Sequence, residues 1–268
     1  TDALKLRWYF VKDLQGIKTE SELMESFSQQ TRWSIRKSQK SGVEVRRIGK
    51  DELDVFQSIL QKTEERRSYR GRTTAYYESL LREFGDKGVH FYLAEIHYKK
   101  YQLNLKKLLA QAKSDIREAK KNEDPKKSSK ALKVANEARE LYLKKLDESE
   151  DLAKKNTVKP IAASMFIQYK NEYGYLASGS LKEYSSYCGP YAIQFAAMNY
   201  AIKHSITRYN FYGTKGKHTG TESQEGIYKF KEGFGGNLEE ELGYFEAKFR
   251  LPVRLFLKLA QTIKHIRV

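Results

Sequence analysis

The chain has 268 residues, 40% of them hydrophobic and 13% aromatic, enough for a packed core of one large domain or two modest ones; this excludes global disorder. Fifty lysines and arginines against 34 acidic residues leave a net charge of +16, a field that gathers nucleic acid, anionic lipid or phosphorylated small molecules without choosing among them. No apolar run reaches the roughly 18 residues a membrane span needs, a single cysteine permits no intrachain disulfide and fits a reducing compartment, and five histidines (His90, His97, His204, His218, His265) lack metal-ligand spacing, so no metal is expected.

The opening residues show neither an initiator methionine nor a signal peptide, so a piece of a longer protein is expected. Residues 5–12 alternate as a strand. Thr19-Glu20-Ser21-Glu22 then opens a helix with capping-box spacing, either Thr19 or Ser21 serving as the cap. A strongly basic helix follows, Thr31-Arg32-Trp33-Ser34-Ile35-Arg36-Lys37-Ser38-Gln39-Lys40, closed by Ser41-Gly42. Val43–Ile48 reads as a strand, 50–65 as an amphipathic helix, Thr74–Phe84 as another helix, and Val89–Ile96 as a second good strand.

From about Lys99 to Asn156 the chain loses glycine, and Lys/Glu alternate with Leu/Ala. Tyr101, Leu105, Leu108, Ala112, Ile116 and Ala119 fall at three- and four-residue steps, as do Ala131, Ala135, Ala138, Tyr142 and Leu146. The turn Asn122-Glu123-Asp124-Pro125 separates the two runs, predicting an antiparallel coiled-coil hairpin with arms of roughly 30–40 Å. The β pattern resumes with a buried strand over Ile161–Tyr169 and a returning strand over Tyr173–Gly179. Strands 89–96 and 161–169 are expected to be sheet neighbours, because an antiparallel hairpin brings its own two ends together.

Gly189-Pro190 then precedes a long helix over 191–204. Cys188 sits at its start, where the helix dipole would lower a thiol pKa; the alternative is a small, part-buried residue. A strand over Arg208–Gly213 leads into a loop crowded by Gly213, Gly216, Gly220 and Gly226, and then Tyr228-Lys229-Phe230-Lys231, whose alternation suits a strand with a solvated charged face. From about Pro252 a basic amphipathic helix (Arg250, Arg254, Lys258, Lys264, Arg267) closes the chain and suits an anionic membrane surface.

Several short motifs occur in a specific order. The Arg32–Lys37 helix ends at Gly42-Val43, and Arg72-Thr73-Thr74-Ala75-Tyr76-Tyr77 precedes the helical insertion. Tyr173-Gly174-Tyr175-Leu176-Ala177-Ser178, the Gly189-Pro190-Tyr191 helix start, Tyr209-Asn210-Phe211-Tyr212-Gly213 and Gly226–Gly236 follow it. Across essentially the whole chain this resembles the FemABX/MurM family of tRNA-dependent aminoacyltransferases, which build the interpeptide bridges of peptidoglycan. The resemblance implies an α/β (α+β) fold with a GNAT-like mixed sheet and an inserted coiled-coil arm. It places the first part of a second GNAT-like domain at 1–97, the arm at 98–156 and the remainder with the basic helix at 157–268, the first GNAT-like domain being absent. It further implies aminoacyl-tRNA as co-substrate with no cofactor, UDP-MurNAc-pentapeptide or lipid II as acceptor, and cytoplasmic work at the inner face of an anionic membrane.

By the same resemblance Arg72 and Tyr76 match the family's substrate-phosphate arginine and the tyrosine four residues on. A guanidinium holds a pyrophosphate by paired hydrogen bonds better than an ammonium does. Phe230-Lys231 match the pair whose lysine stabilises negative charge during attack on the tRNA ester. Tyr173 and Tyr175 match the tyrosines lining the precursor pocket, although their alternation serves a core equally well. The first-domain lysine and acidic residue have no counterpart in this sequence, so no general base is assigned. Arg32, Arg36 and Lys37, with the basic hairpin, are candidates for tRNA backbone contacts, against the plain reading of solvated charged faces.

Two rivals stand beside this reading. An acetyl-CoA N-acetyltransferase would share the fold, but it needs a Gly-rich cradle for the pyrophosphate at a helix start, where Pro190 removes an amide donor. A non-catalytic RNA-binding coiled-coil module explains the charge and the hairpin and leaves Arg72, Tyr76, Phe230 and Lys231 unexplained. The aminoacyltransferase reading requires Arg72 and Lys231, distant in sequence, to serve one cleft.

Overall fold

A computed structural model describes residues 8–214 and 222–240. The basic helix expected beyond Pro252, His218, His265, Gly216, Gly220 and residues 5–7 of the first strand lie outside these residues.

The chain begins with β1 (Trp8–Asp13), followed by α1 (Glu20–Glu25). Thr19 is its cap: its hydroxyl accepts from the Glu22 amide, while the Glu22 carboxylate accepts from the backbone of Thr19. α2 (Gln29–Lys40) is capped by Ser28 and buries a small-residue stripe, Thr31, Ser34, Ile35 and Ser38. β2 (Val43–Ile48), α3 (Leu53–Arg67), α4 (Thr74–Gly88) and β3 (Val89–His97) complete the stretch before the insertion. α4 runs four residues past the expected end, broken by Gly85 at φ +65, a conformation glycine reaches without a Cβ penalty.

The insertion folds as two long helices, α5 (Tyr98–Lys120) and α6 (Pro125–Glu148), with the short α7 (Glu150–Lys154) leading back. Asp124 caps α6 by accepting from the amides of Lys126 and Lys127, and Pro125 takes the first helical position, where its missing N–H costs nothing. Leu105, Ala112, Ala119 and Ala135 are buried along the hairpin, as their spacing predicts, and Tyr101 is buried at its root against Gly42 and Tyr187. Ala131 is exposed and Leu132 is half-buried in its place, because the stripe on α6 begins one residue later than the alanine repeat suggests.

β4 (Val158–Tyr169) and β5 (Glu172–Ser180) form a hairpin, followed by α8 (Gly189–Lys203), β6 (Arg208–Thr214), α9 (Glu222–Gly233) and β7 (Asn237–Glu240). The Tyr228–Lys231 segment expected as a strand is thus part of a helix. Phe230 and Phe234, four residues apart, pack on each other, and Tyr228 packs separately on Phe10, a pattern that alternation over four residues does not reveal.

One seven-stranded sheet runs in the order β2-β3-β4-β5-β6-β1-β7. β3 and β4 are antiparallel neighbours from Val89↔Ile167 to His97↔Val158, so the hairpin leaves and re-enters between adjacent strands. Side-chain alternation sends Phe91, Leu93, Ala163 and Met165 to one face, beneath α3 and α4. It sends Tyr92, Ala94, Phe166, Tyr173, Tyr209 and Phe211 to the other, beneath α2, α8 and α9.

The hairpin is fastened at its root. Asn104 of α5 donates to the carbonyls of Gln39 and Lys40 (3.2 and 3.1 Å), capping the open end of α2, and Gln102 reaches across to the Leu146 carbonyl at 2.6 Å. Gly42, at φ +69, lets α5 approach so closely that a Cβ there would lie 2.8 Å from the Tyr101 amide nitrogen. Gly42→Ala is therefore expected to lower the urea-unfolding free energy by roughly 2 kcal/mol or more, from left-handed strain plus overpacking. An unchanged midpoint would show that the root has slack.

Candidate active site at the open end of a parallel strand pair

β5 and β6 are the only parallel neighbours among the described strands, and their ladder is three residues long: Glu172↔Arg208, Tyr173↔Tyr209 and Gly174↔Asn210. A clamp of polar side chains holds this end. Arg208 donates to Glu172 at 2.7 Å and to Glu239 of β7 at 2.6 Å, and Asn210 donates to Glu172 at 2.9 Å. Asn171 exchanges hydrogen bonds with Thr207, donating at 2.6 Å and accepting at 2.9 Å. Beyond Gly174 and Asn210 the two strands no longer pair with each other, although β5 continues to Ser180 and β6 to Thr214. Their facing peptide groups are left for another partner, and the carboxyl ends of parallel strands are where α/β sheets place ligands.

At the opening of this gap β6 kinks. Tyr212 has φ +64, rare for a residue with a bulky side chain, and its amide donates to Asn210 Oδ1 at 2.7 Å. The kink presents the carbonyls of Tyr212 and Gly213 to Lys231 of α9, whose Nζ donates to them at 3.1 and 2.8 Å. Lys231 is 5% exposed, and burial pulls its pKa down to about 8. Among the described residues no carboxylate pairs with it. The neighbouring Phe230 packs edge-on against Tyr191 (4.9 Å between ring centres) and Phe234 (5.3 Å), so it seats the helix that carries the lysine.

The β5 side of the gap carries Tyr175. Its ring stacks on Phe166 at 5.3 Å; burial raises its hydroxyl pKa, and the side chains of Ser178, Ser164 and Gln194 surround that hydroxyl. Gln194 is fully buried, accepts from Tyr209 at 2.6 Å through Oε1, and leaves Nε2 without a partner among the described residues. Tyr173 shares the face with Tyr175, as alternation predicts, but is fully buried. Its hydroxyl lies 2.6 Å from His90 Nδ1 and donates to Tyr92 at 3.2 Å. Tyr173 therefore presents no group to a ligand; it is a core residue in a buried polar chain.

Arg72 and Tyr76 occupy the other face of the sheet, in the α3–α4 connection and the first turn of α4. The Arg72 guanidinium lies over the Tyr76 ring at 5.2 Å, both groups are exposed, and Arg72 has no carboxylate partner among the described residues. α3 is pinned to the same open end. Thr63 Oγ1 accepts from the Ser180 amide at 2.9 Å, Arg66 donates to the Ser180 carbonyl at 3.0 Å, and a Cβ on Gly179 would meet the Leu60 backbone at 2.7 Å. Arg72 and Lys231 thus belong to segments packed on opposite faces of the sheet, and among the described residues no contact joins them, so the single cleft expected to bring the pair together is not seen.

The basic residues of α2 divide. Arg32 is spent within the chain, donating to the carbonyls of Phe27 (2.5 Å) and Glu25 (3.3 Å) past the end of α1. Arg36 is exposed, as is Trp33, over whose ring the Lys37 ammonium sits at 4.7 Å. Cys188 follows the plainer of its two readings: it is buried before α8 at φ +57, and burial raises its pKa, outweighing the helix start. Sequence reasoning also missed Lys12, buried on β1 beside Phe27, with a pKa drawn down to about 8 by burial. A lysine in an otherwise alternating strand is its only sequence signal.

Comparison with known proteins agrees with this architecture. The FemAB family model matches residues 1–265. The chain is 31% identical over 258 residues to the aminoacyltransferase FemA of Staphylococcus aureus, in strain bovine RF122 / ET3-1 and equally in strain MW2. Each alignment covers 93% of this chain and 60% of the relative, so the chain spans about three-fifths of the length of these relatives. Among solved structures, that of FemX superposes with a TM-score of 0.69 at 21% identity, over 93% of this chain and 63% of that one, a likeness of fold. With its family model matched from end to end and its relatives aligned across both sides of the helical insertion, the chain belongs to the FemAB family.

Proposed function

We propose that this chain carries the acceptor half of an aminoacyl-tRNA-dependent transferase that adds amino acids to the stem peptide of a peptidoglycan precursor. The observation that carries this reading is the buried ammonium of Lys231 at the kinked, unpaired end of β6. An ammonium has three N–H donors, and two are occupied by the Tyr212 and Gly213 carbonyls. Among the described residues nothing takes the third, which we assign to an oxyanion. The relatives' name, aminoacyltransferase, supplies the reaction class.

In the proposed reaction the amine of the stem peptide attacks the ester carbonyl of aminoacyl-tRNA. A C–N bond forms, and the carbonyl oxygen takes up negative charge opposite Lys231. The ester C–O bond then breaks, releasing the tRNA, and the proton lost by the amine is balanced by the one gained by the ribose oxygen. A positive group preorganised in a dry site is worth most at the moment charge develops. Phe230 holds the lysine's helix in place, and Tyr175 lines the β5 side of the gap. Arg72, which among the described residues meets only the face of Tyr76, would hold the precursor's pyrophosphate bidentately from the opposite face of the sheet, away from the reacting carbonyl.

We read the sheet with its opened parallel pair as a GNAT-like unit formed by 1–97 and 157–268, interrupted by a coiled-coil arm at 98–156. Aminoacyl-tRNA is the co-substrate and no cofactor takes part in the reaction as written. UDP-MurNAc-pentapeptide and lipid II share the pyrophosphate that Arg72 would hold, and lipid II would place the work at the inner membrane face. No described helix is long and apolar enough to cross a membrane. Arg36 and Lys40 are exposed cations of α2 that could touch tRNA phosphates, with Trp33 exposed beside them.

The test is transfer of labelled amino acid from charged tRNA to either precursor by the whole protein; no transfer from glycyl-, alanyl- or seryl-tRNA would refute the reading. Lys231→Met should lower kcat roughly 100-fold with little change in precursor affinity. Because burial holds the Lys231 pKa near 8, the ammonium is lost as pH rises through that value, so the advantage of wild type over Lys231→Met should shrink between pH 7 and 9. A constant ratio would remove the charge from the mechanism. Arg72→Ala should raise KM for the precursor about tenfold or more at similar kcat, with only partial recovery in Arg72→Lys; an unchanged KM would take Arg72 out of the site.

A further inference from the structure

The root of the helical hairpin holds a second recess, lined by none of Arg72, Tyr76, Tyr175 or Lys231. It is a cavity of about 270 Å³ where the end of α2, the first turns of α5, the α6–α7 junction and the segment before α8 meet. Its walls include Tyr98, Tyr101 and Tyr187, with Lys37 and Lys145 contributing cations and Glu148 an anion. The first two rings are nearly inaccessible, at 6% and 4% exposure, and pack edge to face in sequence: Tyr98 on Tyr101 at 6.4 Å, Tyr101 on Tyr187 at 5.7 Å. The Gln102 and Asn104 hydrogen bonds that fasten the arms hold these walls in place.

Its charges are asymmetric. Glu148 is answered outside the cavity by Lys144, at 3.8 Å. Lys37 and Lys145 have no ion-pair partner among the described residues, and both are half-buried, where solvent screens a charge less. Burial raises the hydroxyl pKa of Tyr98 to about 12 and of Tyr101 further, and hydrogen bonds to Tyr184 and Tyr187 add to the rise.

We propose that this recess binds one nucleotide, its base against the half-buried Tyr187 ring and its phosphate between Lys37 and Lys145. A bare anion would have no use for aromatic walls, and an apolar ligand would leave Lys145 unanswered and Lys37 with only the face of Trp33. Aromatic side chains beside cations match a base joined to a phosphate. The volume lies at or below the roughly 300 Å³ at which pockets for larger ligands begin, which suits a single nucleotide and excludes a dinucleotide cofactor. The same chemistry is offered by one residue of an RNA strand and by a free nucleoside phosphate. The site stands apart from the transfer reading: either can fail while the other holds.

The test measures binding of fluorescent oligouridylate and of UMP to the whole protein at about 0.15 M salt. Lys37→Glu/Lys145→Glu is compared with Lys120→Glu/Lys130→Glu at the hairpin tip, an equal change of charge. Thermal unfolding serves as the folding check, and Lys37→Gln/Lys145→Gln is used if the reversed pair does not fold. The pocket pair should weaken binding roughly tenfold or more while the tip pair changes it about twofold or less. Tyr187→Ala should also weaken it, by about fivefold or more. Oligouridylate binding displaced by UMP identifies an RNA residue as a ligand, and UMP binding alone identifies a free nucleotide. Equal losses from pocket and tip variants, indifference to Tyr187→Ala, or binding of neither probe would overturn the proposal.

Discussion

Everything proposed for the site depends on the contrast between the two ends of one strand pair. Parallel strands are normally held along their length, yet β5 and β6 share only three paired positions, and there the Arg208–Glu172–Glu239 clamp supplies side-chain bonds where backbone ones are few. Charge-assisted bonds between partly exposed groups are worth more than isolated surface pairs when they form a network. With one end held, the other can remain unpaired without the sheet coming apart. The kink at Tyr212, the buried Lys231 and the Tyr175 cluster all sit where that unpaired stretch begins.

The helices are placed to keep the gap open. On one face Thr63 and Arg66 tie α3 to the last residue of β5, and the absent side chain of Gly179 lets the helix backbone lie against the strand. On the other, Phe230 and Phe234 seat α9 against Tyr191 and Phe211. A buried lysine pays a desolvation cost, visible in its lowered pKa, which the rest of the core must offset. Such local costs are characteristic of functional sites.

The hairpin follows a different logic. It leaves β3 and returns to β4 between adjacent strands, so the sheet closes behind it, and its two arms bury each other's apolar stripes. Among the described residues it is attached at the root, where Asn104 completes α2 and Tyr101 lies against Gly42. That attachment shapes the tyrosine-lined recess, which is therefore a product of the junction between insertion and sheet.

Local pattern was enough for most of the elements. The capping box at Thr19 and Glu22, the glycine-free repeat with its Asp124-Pro125 turn, and the alternation of strands 89–96 and 161–169 each write their outcome within a few residues, because capping, helical periodicity and pleating are short-range effects. The order of the motifs also pointed to the family. Longer-range decisions were not legible. Whether Tyr228–Lys231 became strand or helix was settled by the core it meets, and whether Tyr173 or Tyr175 faced the gap by how far each lies from the clamp. The Cys188 thiol followed its burial and not its place at a helix start. A sequence records which side chains are available and their local period; which strands part, and what is desolvated when they do, depends on contacts between residues far apart in the chain, and only the folded molecule contains those.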